Sequence, residues 1–168
     1  MIAAFGVSRV LLPAPRVVTP GISADPWYHT VKDPAGYVIN LPWDWTRREV
    51  QGKSTAVVTY TAPGGNGQLM VFEVKEASVT ESSAQAQHIA EGAKDYQYLG
   101  RKSGAGWTEF GYRYYSKQYR TTQVVDHRFQ TAEGMQYAII AISPAGTDLT
   151  KQLTTAVNSF CLTGADCS

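Results

Sequence analysis

Three histidines offer this chain its main opportunity for acid–base or metal chemistry. They are His29, His88 and His127, and no His-x-x-x-His or Glu-x-x-His spacing joins any of them into a metal-binding pair. A serine–histidine–aspartate arrangement forms from residues distant in sequence, so spacing leaves it open, but no Gly-x-Ser-x-Gly segment presents a nucleophilic serine. We interpret the histidines as surface or structural residues, and we predict no metal site and no cofactor.

Cys161 and Cys167 are the only cysteines, and both lie at the carboxyl terminus. The Gly-Ala-Asp segment between them allows the chain to fold back and close a small loop. A zinc site would require further ligands, and a redox pair favours two intervening residues rather than five. We predict one structural disulfide and an oxidising compartment, with free thiols in a reducing compartment as the alternative.

Aromatic side chains near predicted strand ends are the best candidates for binding a ligand or partner. Tryptophan and tyrosine combine an apolar ring with a polar group, which suits flat ligands, sugars and protein surfaces. Strand alternation places Tyr112 and Tyr114 on one face and Trp107 on the other, while Trp43 and Trp45 share a side if their segment is extended. Packing in the core explains most of these rings equally well, so both interpretations stay open.

Composition and charge favour one globular domain. The chain has 168 residues, of which 43% are hydrophobic and 11% aromatic, and this length is sufficient to bury one core. Fifteen basic residues against 14 acidic ones give a net charge of +1. This balance provides no electrostatic basis for binding nucleic acid or an anionic membrane.

The first 26 residues differ from the rest. The segment from Met1 to Val18 is apolar but is interrupted by Arg9, Pro13, Pro15 and Arg16. It is also too short for a transmembrane helix, which needs about 20 apolar residues to span a bilayer. We predict no transmembrane helix here. Two interpretations remain: a Pro-rich lead-in that lies on the domain, or the remnant of a membrane anchor or signal. Residues 19–26 have the composition of a linker.

Turn residues and β-branched runs predict four strands before the first helix. An Asp-Pro-Ala-Gly segment at residues 33–36 suits a type I turn between two strands, because proline presets φ and aspartate bonds its own backbone. The pair Thr55–Thr61 and Gln68–Val74 forms a second hairpin. Its Gly-rich turn lacks the Lys-Ser/Thr of a phosphate loop. We interpret Arg47 and Arg48 as a solvated loop.

Helical spacing then appears twice. Thr80 to Tyr96 is predicted as a helix with a capping box at Ser82 and Gln85 and an inner face of Ala86, Ile89, Ala90, Ala93 and Tyr96. The closing helix, capped by Thr147 or Asp148, is predicted to bury Leu149, Leu153, Ala156, Val157 and Phe160.

Three further strands are predicted between the helices: Trp107 to Tyr115, Thr121 to Ala132 and Met135 to Ser143. A short extra strand at Gln97 to Arg101 is an option. Both faces of the last strand are apolar, which predicts a central position. Strands joined by hairpins and divided by one helix give an α+β domain with an antiparallel sheet packed by helices.

Two segments carry a resemblance to a known family. The opening DPAGYVINLPWDW is similar to the first hairpin of PsbP-like domains, a fold shared with the yeast Ran-binding protein Mog. Two later segments resemble the last hairpin and the final helix of that family: HRFQTAEGMQYAIIAISPAGT and LTKQLTTAVNSF, respectively. The similarity covers roughly Trp27 to Phe160. It is greatest to extracytoplasmic actinobacterial domains that follow kinase transmembrane segments or occur as LpqN-like lipoproteins.

The resemblance implies an α/β/α sandwich with a central antiparallel sheet of about 6–7 strands, usually noncatalytic. We expect a lead-in and linker at 1–26, a PsbP-like domain at 27–161 and a disulfide-closed tail at 162–168. The leading expectation for function is an extracytoplasmic binding or sensor module that recognises a protein or small ligand. A small secreted hydrolase is the alternative. The residues that we assign to binding are Trp43, Trp45, Trp107, Tyr112 and Tyr114.

Overall fold

A computed structural model describes residues 25–167, which form ten strands and two α-helices. In chain order these are β1 (Tyr28–Asp33), β2 (Tyr37–Pro42), β3 (Thr46–Gln51), β4 (Ala56–Thr61), β5 (Gln68–Val74), α1 (Val79–Glu91), β6 (Gln97–Gly104), β7 (Trp107–Ser116), β8 (Arg120–Gln130), β9 (Gln136–Pro144), α2 (Thr150–Ser159) and β10 (Cys161–Leu162). The two interpretations of residues 1–18 lie outside the described residues. Within the described range, neither helix combines the length and apolar character needed to cross a bilayer.

The strands form two antiparallel sheets. The larger has the order β3-β4-β5-β9-β8-β7-β6, and the smaller has the order β1-β2-β10. Seven strands in the larger sheet and its antiparallel pairing confirm the predicted fold class. As its two apolar faces predicted, β9 is the middle strand of the seven.

A different layer covers each face of the larger sheet. On one face, α2 and the β1–β2 hairpin lie against β4, β5 and β9. On the other, α1 packs against β7 and β8. The main core lies under α2 and the hairpin, and it consists of Tyr37, Ile39, Leu41, Val58, Tyr60, Leu69, Val71, Tyr137, Ile139, Ala141, Leu149, Leu153 and Ala156.

Asp33 closes the first hairpin and fastens it to the larger sheet. One carboxylate oxygen accepts the backbone N–H of Ala35 at 2.9 Å, as the turn residues predicted. Arg47 of β3 donates to both oxygens at 2.7 Å, and the hydroxyl of Tyr60 of β4 also donates to the carboxylate. Burial and the bond to Asp33 raise the pKa of Tyr60, so this hydroxyl stays protonated. The Tyr37 hydroxyl lies 3.0 Å from that of Tyr60.

The prediction of a loop at Arg47 and Arg48 is wrong, because both residues belong to β3. This strand is an edge of the larger sheet, and all six of its side chains are exposed. Neither face of this strand is buried, so its sequence shows no apolar alternation, and its charged side chains protect the free edge. The optional strand at Gln97 to Arg101 is present as β6 and extends to Gly104.

The first helix begins earlier and ends earlier than predicted. Ser78 is the N-cap and accepts the backbone N–H of Glu81 at 3.1 Å, so the capping box at Ser82 is wrong. Ser82 is buried within α1, whereas Ile89 is 77% exposed. The physical reason is that arginines of the sheet, rather than apolar side chains, meet this helix. Arg128 donates to the Ser82 hydroxyl, so the docked face needs small polar residues.

The second helix is close to its prediction. Its N-cap is Leu149 rather than the predicted Thr147 or Asp148, although Asp148, one residue earlier, accepts the backbone N–H of Thr150 at 2.8 Å. Leu153 and Ala156 are buried against the sheet. The Ser159 hydroxyl accepts the backbone N–H of Asn40 at 2.8 Å, which ties the end of α2 to β2.

The carboxyl-terminal tail returns to the first hairpin. Cys161 and Cys167 form the predicted disulfide, with their Cα atoms 5.8 Å apart. β10 pairs with β2, and the backbone N–H of Thr163 donates to Gly36 at 2.9 Å. The tail is therefore held both by the covalent bond and by backbone pairing.

We expect Asp33→Asn to lower the free energy of unfolding by about 3 kcal/mol, because it removes the buried carboxylate to which Arg47 and Tyr60 donate. Urea denaturation at neutral pH measures this change. Asp44→Asn, at an exposed position, is the matched control and should change little. Equal effects of the two substitutions would contradict the assigned role.

Asp33 also predicts a dependence on pH. Burial alone would raise the pKa of Asp33, but hydrogen bonds from Arg47 and Tyr60 outweigh it and hold this pKa below its usual value. Asp33 therefore contributes stability above about pH 4, and this contribution disappears as the pH falls through the lower folded-state pKa. As the pH falls below about 4, the free energy of unfolding should decrease more steeply in wild type than in Asp33→Asn. Parallel plots of this free energy against pH for the two proteins would contradict the assigned role.

Replacing both Cys161 and Cys167 by serine should lower the free energy of unfolding by about 2 kcal/mol, since the bond closes only a short loop. Hydrogen exchange should accelerate at the backbone N–H of Thr163 but remain slow in β9. The oxidised wild type is the control. Loss of protection throughout β9 would show instead that the bond supports the whole core.

Candidate functional site

The five aromatic residues predicted to bind lie in three separate places. Trp107 is on the α2 face of the larger sheet, and Trp43 and Trp45 follow β2. Tyr112 and Tyr114 lie on the α1 face with ring centres 5.9 Å apart. Burial raises the pKa of Tyr112 to about 12. The structure therefore does not assemble the five rings into one surface.

Trp43 and Trp45 point to different environments. Trp43 is 65% exposed and stacks on His29, with ring centres 4.2 Å apart and planes inclined by 14°. Trp45 is partly buried and packs against the main core. The backbone turns between them, since the N–H of Trp45 donates to Pro42, so the two indoles do not share a side.

A cleft lies between α2 and the half of the larger sheet formed by β6, β7 and β8. It consists of two adjoining cavities of about 110 and 140 Å³. Both cavities are lined by Lys102, Glu109, Leu153 and Thr154. Concave spaces with a few convergent polar groups are the usual form of small-ligand sites. We define these two cavities as the α2 cleft.

Three charged or titratable side chains cross the floor of the α2 cleft. Lys102, Glu109 and His127 are consecutive cross-strand neighbours on β6, β7 and β8. Lys102 Nζ lies 2.9 Å from one carboxylate oxygen of Glu109, and His127 Nδ1 lies 2.9 Å from the other. The strand pairing brings these groups together: the β6–β7 hairpin pairs Lys102 with Glu109, and the β7–β8 hairpin pairs Glu109 with His127.

Glu109 is held in its ionised form. The hydrogen bond from His127 lowers the pKa of Glu109, burial opposes this, and the hydrogen bond from Lys102 lowers it further. Its side chain is only 16% exposed. The floor of the cleft thus holds a carboxylate whose two oxygens already have partners, and the exposed Lys102 ammonium lies beside it.

Trp107 forms an aromatic wall of the cleft. Its indole stacks on His127, with ring centres 5.4 Å apart and an angle of 17°. It also lies directly over Gly104, where a Cβ atom would be 2.3 Å from Nε1 of Trp107. Glycine at 104 therefore permits the indole to take this position, and the stacking fixes it before any ligand arrives.

His127 in the α2 cleft has a carboxylate partner but no hydroxyl partner among the described residues. Glu109 occupies Nδ1 of His127, and within residues 25–167 no hydroxyl is hydrogen-bonded to this ring. Ser143 lines the cleft, but its hydroxyl donates to the carbonyl of Thr147 at 2.9 Å. The described residues contain no group of three metal-binding side chains. A nucleophile linked to the histidine, which acyl transfer requires, is not formed here.

Sequence reasoning assigned Trp107 to binding, interpreted His127 as a surface or structural residue, and missed Lys102 and Glu109. The alternation of β7 could have placed Glu109 on the face of Trp107, since the two are separated by one residue. Its partner on β6 was missed because the optional strand was ended at Arg101, whereas β6 continues to Gly104 and pairs Lys102 with Glu109.

Comparisons with known proteins agree with this architecture. The family model described as the serine/threonine kinase C-terminal domain matches residues 29–162. The solution structure of cyanobacterial PsbP (CyanoP) from Synechocystis is similar, with a TM-score of 0.58, 13% identity, and coverage of 84% of this chain and 96% of that one. No curated protein sequence matches. At this identity the PsbP structure shows the fold alone, and it confirms the predicted PsbP-like fold.

Gly104→Ala should displace Trp107 from His127 and lower the free energy of unfolding by about 1–3 kcal/mol, because the new methyl group overlaps the indole. Urea denaturation followed by tryptophan fluorescence measures both effects. Gly111→Ala is the matched control, since a Cβ atom there would meet its nearest neighbour at 3.6 Å. If Gly104→Ala behaves like Gly111→Ala, the indole is not fixed as described.

Proposed function

Because this chain belongs to the serine/threonine kinase C-terminal domain family, we propose that it is a noncatalytic, extracytoplasmic module that binds a small ligand in the α2 cleft. The observation that carries this proposal is the fixed set of Trp107, His127, Glu109 and Lys102 along one wall of the cleft. In a kinase-linked domain, occupation of such a cleft serves as the signal that the domain reports to the rest of the protein.

The disulfide supports an extracytoplasmic location. Disulfides persist in oxidising compartments and are rare in the cytosol. Cys161 and Cys167 are bonded, and the chain contains no other cysteine. This pair is therefore maintained as a structural bond that holds the tail on β2.

The chemistry of the cleft suggests the class of ligand. Trp107 offers an aromatic face, and Lys102 offers a positive charge that is 70% exposed. Nε2 of His127 has no hydrogen-bond partner within residues 25–167, so it is free to bond a ligand. Such groups fit a small compound with a planar or apolar ring face and an acidic or polar substituent.

The test is a titration of the isotopically labelled protein with a library of small ring-containing acids, followed by NMR. We expect shifts at cleft residues, and Lys102→Ala should weaken binding by about tenfold, the loss of one charge-assisted hydrogen bond. Lys75→Ala is the matched control, because Lys75 is also an exposed lysine paired with a glutamate. Shifts confined to another surface, or equal effects of the two substitutions, would contradict the cleft as the site.

A small secreted hydrolase is the second candidate, and the His127–Glu109 pair is the observation that favours it. In such an enzyme, Nε2 of His127 would act as the general base that takes a proton from water or from a hydroxyl group of the ligand. The purified protein should be assayed with chromogenic esters. Hydrolysis that persists through purification and disappears in His127→Gln would replace the binding proposal, whereas inactivity of the wild type supports it.

A further inference from the structure

We propose that a second cavity, bounded by the β8–β9 hairpin, the end of α2 and the carboxyl-terminal tail, binds a small organic cation with apolar groups. Its volume is about 340 Å³, which is larger than either cavity of the α2 cleft. Small-ligand sites commonly have volumes of about 300–1,000 Å³ and mostly apolar walls. We define this space as the tail cavity, and its lining residues include Phe129, Glu133, Val157, Phe160, Leu162 and Asp166. This inference goes beyond the proposed function and does not depend on the ligand of the α2 cleft.

The inner part of the tail cavity is apolar and partly aromatic. Phe129 and Phe160 are partly buried against the main core, with ring centres 5.1 Å apart and planes inclined by 76°. Val157 and Leu162 are partly buried against the same core. Because the two rings are nearly perpendicular and both line the cavity, they present aromatic surface in two directions. Aromatic faces attract cations, and the attraction becomes stronger where water is excluded.

The charged residues that line the tail cavity all have the same sign. Glu133 and Asp166 are exposed, so they lie toward its solvent side, whereas the phenylalanine rings lie deeper. No lysine, arginine or histidine is among the described residues that line this cavity. Carboxylates beside aromatic rings favour a cation over an anion or a neutral compound of the same shape. The α2 cleft differs in this respect, because it offers the Lys102 ammonium.

Hydrogen bonds and the disulfide hold the walls of the tail cavity in place. In the β8–β9 turn, the backbone N–H of Gly134 donates to the carbonyl of Thr131 at 3.0 Å. The N–H of Thr131 donates to the carbonyl of Met135 at 2.7 Å, so Glu133 lies within a closed turn. On the other side, the disulfide and the pairing of β10 with β2 hold the tail. A preformed site loses little conformational freedom on binding, which favours a small ligand that makes few contacts.

An NMR titration of the isotopically labelled protein with choline tests the proposal. Choline is a trimethylammonium compound, and the matched ligand control is its neutral analogue, an alcohol in which carbon replaces the ammonium nitrogen. We expect choline to shift the signals of residues that line the tail cavity, and the neutral analogue to bind about fivefold more weakly. Absence of shifts, shifts confined to another surface, or equal affinities for the two compounds would overturn the proposal.

The charge of the tail cavity is tested by Glu133→Gln, which removes one negative charge and nearly preserves the shape of the side chain. The affinity for choline should fall by about fivefold. Glu91→Gln is the matched control, because Glu91 is also an exposed glutamate but lies on α1, on the opposite face of the larger sheet. It should bind choline like wild type. Equal effects of the two substitutions would contradict a role for the charge of Glu133.

The aromatic surface is tested by Phe129→Leu, which removes a ring face and keeps an apolar side chain. We expect the affinity for choline to fall by about threefold while that for the neutral analogue stays nearly unchanged. Circular dichroism establishes that each variant is folded. Wild-type affinity of Phe129→Leu for choline would contradict the role of the ring. Lys102→Ala should bind choline normally, so failure of the α2 cleft proposal is distinguishable from failure of this one.

Discussion

The buried carboxylate of Asp33 is the interaction on which the arrangement of layers depends. It terminates the first strand, closes the turn to the second and accepts bonds from Arg47 and Tyr60 of the larger sheet. Its side chain has no exposed surface, so each of these donors is needed to compensate the charge. A hairpin alone would have several ways to lie on an apolar sheet face. The fixed direction of these hydrogen bonds selects one of them.

The position of α2 follows from that of the hairpin. The Ser159 hydroxyl bonds β2, the short strand β10 pairs with the same edge of β2, and the disulfide closes the tail behind it. The helix is therefore held beside the hairpin and reaches only part of the way across the larger sheet. The uncovered portion over β6, β7 and β8 becomes the floor of the cleft, with Thr154 at its rim.

The helix α2 contacts both the residues that precede β1 and the α2 cleft. At its beginning, Lys151 pairs with Asp25, whose carboxylate also bonds the backbone of Trp27. One turn further on, Leu153 and Thr154 line the cleft that Lys102, Glu109 and Trp107 form from the other side. The α1 layer, docked through Arg128 and Ser82, lies on the opposite face of the larger sheet from the α2 cleft.

The sequence by itself determined the features that arise from local chemistry. The Asp-Pro-Ala-Gly turn, the hairpin strands, the central position of β9 and the pairing of two isolated cysteines all follow from turn preferences, alternation and loop closure. Only the tertiary structure decided which strands are neighbours. It brought Lys102 and Glu109 to His127, turned Trp43 outward and Trp45 inward, and placed Ser82 beneath an arginine. The reason is that strand register between distant segments depends on bulges, buried hydrogen bonds and layer packing, none of which has a periodicity that a single segment can show.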